Sequence, residues 1–177
     1  MLAHLAAEDD VAPPAVREPL AEIAGKAQKL VGALDEIVWA VNPRHDTLAS
    51  VADYLPAIAS EFLDHTSIAL RLDVARDLPP IALDAERRHG LFLAVREALN
   101  NAVKHSAARE ILLRLRAADH RLEIELRDDG RGFDAAAQHD GEGLRNLRER
   151  MIALGGEARI ESMAGAGTSV RLSLPLP

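Results

Sequence analysis

Apolar residues recur at Leu20, Ile23, Ala27, Leu30, Leu34, Ile37 and Val41, in alternating steps of three and four. That is the heptad spacing of a helix that packs on other helices. Asn42-Pro43 ends it, because the residue before proline is pushed out of the helical region. Gly25 and Gly32 lie inside the pattern, so packing rather than propensity must hold this helix together. Thr47 is a cap for a second helix running to about His65, and Pro56 inside it predicts a kink or a break. Residues 68–75 alternate as a strand, followed by the rigid connector Asp77-Leu78-Pro79-Pro80. Asp84 caps a third helix through about His105. The runs Ile111-Leu113-Leu115 and Leu122-Ile124-Leu126, joined by Ala118-Asp119-His120, read as a hairpin with one buried face. Leu144, Leu147, Met151 and Leu154 form a fourth helix ended by Gly155-Gly156, and a last hairpin pairs 157–162 with 168–174. Helices and mostly antiparallel strands in this order predict an α/β fold, a two-layer sandwich whose sheet is covered by helices on one face.

Length and charge narrow the function. A chain of 177 residues buries enough surface to need neither disulfide nor metal for its core. The absence of cysteine removes disulfide scaffolds and Cys-ligated metal sites. With 21 basic and 28 acidic side chains the net charge is −7, and Trp39, Tyr54 and three Phe are the only aromatics of their kind. That composition argues against a nucleic-acid partner bound by basic grooves and stacking platforms. No apolar run reaches the roughly 18 to 20 residues of a membrane span, and the N-terminus lacks a basic signal start. The chain is therefore expected to be cytoplasmic, with no membrane segment.

The third helix carries the most informative local chemistry. Leu91, Val95, Ala98, Leu99 and Ala102 form its core stripe, while Glu97, Asn101 and Lys104 cluster on a neighbouring arc. Such a trio could position a hydrated Mg²⁺ and a polyphosphate; taken alone, it is also an ordinary solvated helix face. Asn100, a step round the helix, is expected at the surface. Asp128-Asp129-Gly130-Arg131-Gly132-Phe133 follows the second hairpin strand, where glycines admit a flat ligand and a carboxylate can accept from an exocyclic amine. A plain Asp-Gly turn has the same sequence. Gly141 and Gly143 place free N–H groups at a helix start, and Gly165-Ala166-Gly167-Thr168 sits in a hairpin connection. Between them, Asp134 to Asp140 is small and polar, a lid candidate. The histidines show no zinc spacing, and neither GxSxG nor GxxxxGK[ST] occurs.

In order, the segments Glu97–His105, Asp128–Phe133, Gly141–Leu144 and Gly165–Thr168 resemble the N, G1, G2 and G3 boxes of the sensor histidine kinase ATP-binding domain. Leu34–Pro43 and Leu144–Met151 resemble the branch with a NarL-type dimerisation domain. The resemblance implies a Bergerat ATP-binding fold over 44–177, preceded by the long heptad helix in a partial dimerisation segment, 1–43. It implies ATP and Mg²⁺ as ligands, a response regulator as partner, and a homodimer through the 16–42 helix. It makes Asn101 the Mg²⁺ ligand and Glu97 the catalytic residue that orients water or metal near the γ-phosphate. Asp128 would read adenine, Gly130 and Gly132 would shape the base pocket, and Thr168 would complete it. Gly141, Gly143 and Leu144 would hinge the lid and face the phosphates, with Lys104 and His105 as phosphate neighbours. One departure matters: the acceptor histidine of such kinases, normally followed by an acidic residue, has no counterpart, since His4 precedes Leu5. The expectation is a catalytic portion that transfers the γ-phosphoryl group to a histidine absent from this chain. The alternative is a noncatalytic dimerisation module with a residual nucleotide site.

Overall fold

The computed structural model describes residues 46–134 and 142–177, together with 19–20, 23–24, 26–27, 38–39 and 42. The chain divides into two compact units, Met1–Asn42 and Pro43–Pro177. In the first unit the described positions up to 39 are helical. Leu20 is half-buried there, whereas Ile23 and Ala27 are exposed. The remaining heptad positions, His4 and Pro43 lie outside the described residues, so the long helix rests on the sequence pattern.

The second unit opens with α1, Leu48–Leu63. Thr47 caps it, its hydroxyl accepting from the Ser50 N–H at 3.1 Å. Of the two outcomes expected at Pro56, a kink or a break, the break does not occur. Leu48, Val51, Ala52 and Leu55 before the proline, and Ala59 and Leu63 after it, are buried on one stripe. That packing spans the site of the missing backbone bond and offsets its loss. The helix stops two residues short of His65, where Thr66 donates through both its N–H and its hydroxyl to the Leu63 carbonyl at 2.8 Å.

β1 (Ala69–Val74) is followed by α2 (Ala85–His105), whose cap Asp84 accepts from the Arg87 N–H at 2.8 Å. The connector between them is tied down. Leu48 N–H donates to Ile81 O at 3.0 Å, Leu83 N–H to Asp46 O at 3.2 Å, and Thr47 bridges Ala82. Arg88, fully buried, donates to Leu83 O at 2.8 Å and pairs with the Asp46 carboxylate. The start of α2 is thereby fixed before any functional side chain on it is reached.

β2 (Glu110–Ala118) and β3 (Arg121–Asp128) form the hairpin, and Asp119 and His120 take φ of 50° and 56° in its two-residue turn. α3 (Glu142–Ala153) precedes β4 (Glu157–Ser162) and β5 (Thr168–Pro175). Gly155, at φ +75°, ends α3 with its N–H on Ile152 O at 2.9 Å. The sheet order is β1-β2-β3-β5-β4, with β1 parallel to β2 and every other pair antiparallel. The parallel pair needs a crossover, and α2 is that crossover.

Ile111, Leu113, Leu115, Leu122, Ile124, Leu126, Val170, Leu172 and Leu174 are buried on the sheet face that meets the helices. On the other face Arg114 pairs with Asp73 at 2.8 Å and with Glu125 at 3.0 Å, and Arg171 pairs with Glu125 at 3.2 Å. Leu112 departs from the expected one-sided hairpin. It is buried on this charged face, flanked in register by Arg71 and Arg127, whose aliphatic stems suit such cover. The two-layer α/β sandwich is as expected, with a mixed sheet.

Candidate functional site

Along α2, Glu97, Ala98, Asn101, Ala102 and His105 recur at helical spacing and line one side of a cavity of about 650 Å³. The opposite wall comes from the sheet. Leu126 faces Val170 and Asp128 faces Thr168 across the β3–β5 ladder, and all four line the cavity. The loop Arg131-Gly132-Phe133 closes one end, and Glu142, Gly143 and Leu144 at the start of α3 close another. The cavity is thus alanine and aliphatic at its floor and polar at its ends.

The two adjacent aspartates do opposite jobs. Asp129 accepts from the Arg109 and Glu110 N–H groups at 2.8 and 2.9 Å, and these bonds hold its carboxyl below the usual range. It fastens the end of β3 to the start of β2. Asp128 is only 4% exposed, and burial pushes its pKa up. The Gly130 N–H, at 2.9 Å, and the Thr168 N–H pull it back down, while the Asp129 charge adds to the rise. Its remaining lone pairs face the cavity, where no protein donor meets them among the described residues.

At the other end Asn101 Nδ2 donates to Glu97 Oε1 at 3.3 Å, so the amide oxygen stays available for a hard cation. A Cβ on Gly143 would run into Glu97 Oε1, so a side chain at the start of α3 would push the Glu97 carboxylate from its place beside Asn101. Gly132, at φ +56°, leaves room for the Met163 and Gly167 carbonyls.

Of the residues singled out in the sequence, Glu97, Asn101, His105, Asp128, Gly132, Gly143, Leu144 and Thr168 are brought together in this cavity. Lys104 is solvent-exposed and stands outside the lining. Gly130 is buried behind the wall, packed on the Ser106 carbonyl where a Cβ would overlap it. Asn100 is half-buried rather than fully exposed. Gly141 and residues 135–140 of the lid candidate lie outside the described residues. Sequence reasoning missed Ser106. It caps α2, its hydroxyl donating to Ala102 O at 2.5 Å and accepting from Ala108 N–H at 3.0 Å, and its carbonyl accepts from the Arg131 N–H at 2.7 Å. The signal was there in a small hydroxyl residue directly after the helix. Ala98 and Ala102 were read as core; their smallness is what leaves the cavity open.

The donor set fits a magnesium nucleotide. An apolar floor with few convergent polar groups, at this volume, is the usual make-up of a small-ligand site. The carboxylates of Glu97, Asp128 and Glu142 would repel a polyphosphate unless a cation intervened. Among the described residues no three His, Asp or Glu side chains cluster to cage a metal. A cation at Asn101 would therefore complete its shell with phosphate oxygens and water, the habit of Mg²⁺.

Comparison with known proteins bears on the same segments. Residues 86–177 match the family described as histidine kinase-, DNA gyrase B- and HSP90-like ATPase. The chain is 35% identical over 137 residues to a sensor-like histidine kinase of Chloroflexus aurantiacus, covering 73% of this chain and 22% of that protein. It is 38% identical over 125 residues to the nitrate/nitrite sensor protein NarQ of Escherichia coli, covering 67% of this chain and 22% of that one. It thus spans a little over a fifth of the length of either relative. The histidine kinase domain of a blue-light activated histidine kinase from Erythrobacter litoralis superposes with a TM-score of 0.63 at 22% identity, covering 90% of this chain and 85% of that chain, which shows a shared fold. The resemblance read from the four boxes is borne out.

Proposed function

The chain belongs to the family of histidine kinase-, DNA gyrase B- and HSP90-like ATPases, and from that premise we propose that it is the ATP-binding catalytic portion of a two-component sensor histidine kinase. The observation that supports this reading is the convergence of four segments, distant in sequence, on one cavity.

Each residue has a task there. Asp128 offers a buried acceptor for the adenine amine, and Ala98, Ala102, Leu126 and Val170 give the flat apolar walls that a purine needs. Asn101 is the protein ligand for Mg²⁺, with its amide held by Glu97. The free N–H groups and positive end of α3, at Gly143 and Leu144, face the phosphates, and Lys104 adds positive charge at the C-terminal end of α2, where His105 lines the cavity as a phosphate neighbour. Gly141 is assigned to the lid hinge with them. Glu97, between Asn101 and Gly143, is the catalytic carboxylate that orients the attacking group. Bound Mg·ATP supplies the phosphoryl group and the cation that spreads its charge; the protein contributes position and a preformed electrostatic setting.

In this reading the phosphoryl acceptor is a histidine outside this chain, the 16–42 segment belongs to a dimerisation unit, and a response regulator receives the phosphoryl group in the cytoplasm. Among the described residues no helix is long and apolar enough to cross a membrane.

Isothermal titration tests the binding claim. The chain gives heat with ATP in Mg²⁺, and Asn101→Ala weakens binding in Mg²⁺ by at least ~10-fold while leaving binding in chelator unchanged. A native chain silent toward ATP overturns the reading in favour of a noncatalytic interaction module. Incubation with γ-labelled ATP leaves the chain unlabelled, and acid-labile label on it would overturn the assignment of the acceptor to another chain.

A further inference from the structure

Ser162, at the end of β4, does not line the cavity, yet its hydroxyl sits at a junction behind it. The Phe133 N–H donates to Ser162 Oγ at 2.9 Å, Ser162 Oγ donates to the Gly167 carbonyl at 3.2 Å, and Thr168 Oγ1 lies 2.9 Å away. A serine hydroxyl has one hydrogen and two lone pairs. On geometry alone either oxygen of the Ser162–Thr168 pair could donate; with the Ser162 hydrogen assigned to Gly167 and one lone pair to Phe133, the second lone pair receives the Thr168 hydroxyl hydrogen. Thr168 is then left with lone pairs and no hydrogen for the cavity it lines.

Beside Thr168, and directly across the ladder from it, is Asp128, whose carboxylate already takes the Thr168 N–H. This end of the cavity therefore presents two acceptors side by side. An exocyclic amine brings two hydrogens and satisfies both; a carbonyl at the same position brings none and faces lone pairs on both sides.

We infer that Ser162 is a specificity-positioning residue: by taking the Thr168 hydroxyl hydrogen it makes Thr168 an acceptor beside Asp128, and the paired acceptors select a 6-amino over a 6-oxo purine nucleotide. The inference rests on the nucleotide reading above. Remove the Ser162 acceptor and the Thr168 hydroxyl rotates freely, able to donate to a carbonyl.

Calorimetric titration of Mg·ATP and Mg·ITP against native, Ser162→Ala, Ser162→Thr, Thr168→Val and Ser162→Ala/Thr168→Val chains tests it, with melting curves run alongside. The ratio of ATP to ITP affinity falls about five- to tenfold in Ser162→Ala, the worth of one hydrogen bond and its reversal. Ser162→Thr, which keeps the hydroxyl, restores the native ratio. Thr168→Val lowers the ratio as Ser162→Ala does, and the double variant lowers it no further, because the serine acts through the threonine. An unchanged ratio in Ser162→Ala or in Thr168→Val, or a double variant whose loss is the product of the two singles, overturns the inference while the nucleotide reading stands. A native chain that binds neither nucleotide overturns both.

Discussion

Asp128→Asn abolishes useful nucleotide affinity while sparing the fold. The carboxylate faces the cavity as a pure acceptor, and the carboxamide puts an N–H₂ donor where the ligand amine would donate. Losing a charge-assisted bond and opposing two donors costs ~3 kcal/mol or more, so Mg·ATP binds at least ~100-fold more weakly. Native-like affinity in this variant would remove Asp128 from the site. Stability moves the other way. Burial raises the Asp128 pKa, so its ionised form disfavours the folded state. That unfavourable contribution is absent below the ordinary carboxylate range and is fully present once pH exceeds the raised pKa. Asparagine does not ionise. The melting temperature of the unliganded variant, relative to native, is therefore higher at pH 8 than at pH 4, and the opposite trend would contradict the burial argument.

Gly167→Ala does the reverse, damaging the fold first. Gly167 has φ +80°, and a Cβ there would overlap the Asp128 carbonyl oxygen and meet its carbon at 3.0 Å and the Gly130 N at 3.2 Å. These are backbone atoms, those of Asp128 held in the β3–β5 ladder and the Gly130 N–H held by the Asp128 carboxylate, so they cannot swing aside. Left-handed backbone costs alanine about 1–2 kcal/mol, and the overlap adds a comparable amount, for a total of about 3 kcal/mol. In a chain of this size that lowers Tm by on the order of 10 °C. Gly165 is the matched control. It shares φ +80°, but an added Cβ meets nothing within 4 Å, so Gly165→Ala pays only the conformational part. Equal losses at the two positions would show that sterics against Asp128 play no role.

Much of this architecture is legible in periodicity. The 3.6-residue stripe of α2, the alternation of β2 and β3 and the glycines after α3 each dictate one local outcome, and each element lies within a residue or two of expectation. The four glycine- and asparagine-bearing segments are legible as a site because their order, not their individual chemistry, is distinctive. What stays hidden is nonlocal. β5 inserts between β3 and β4, so Thr168 reaches Asp128 through a pairing that no window of sequence displays. The same register gives Ser162 its partners; as a lone polar residue near a turn it has no signature. Gly130 looks like a ligand-facing glycine, yet what requires it is the Ser106 carbonyl on another element. Lys104 shares an arc with Glu97 and Asn101 on a helical wheel, but the cavity does not extend to it. Pro56 predicts a kink or a break from local geometry alone, and the buried stripe on either side of it keeps the helix unbroken.

The turn at Asp119 and His120 lies at the end of β3 remote from Asp128, roughly 24 Å away along the strand. Both residues are exposed. A dye, a biotin or a short inserted loop attached there would leave the purine end untouched. The hairpin thus offers an anchoring point for immobilised or fluorescent versions of the protein, in which ligand occupancy can be followed without engineering the cavity itself.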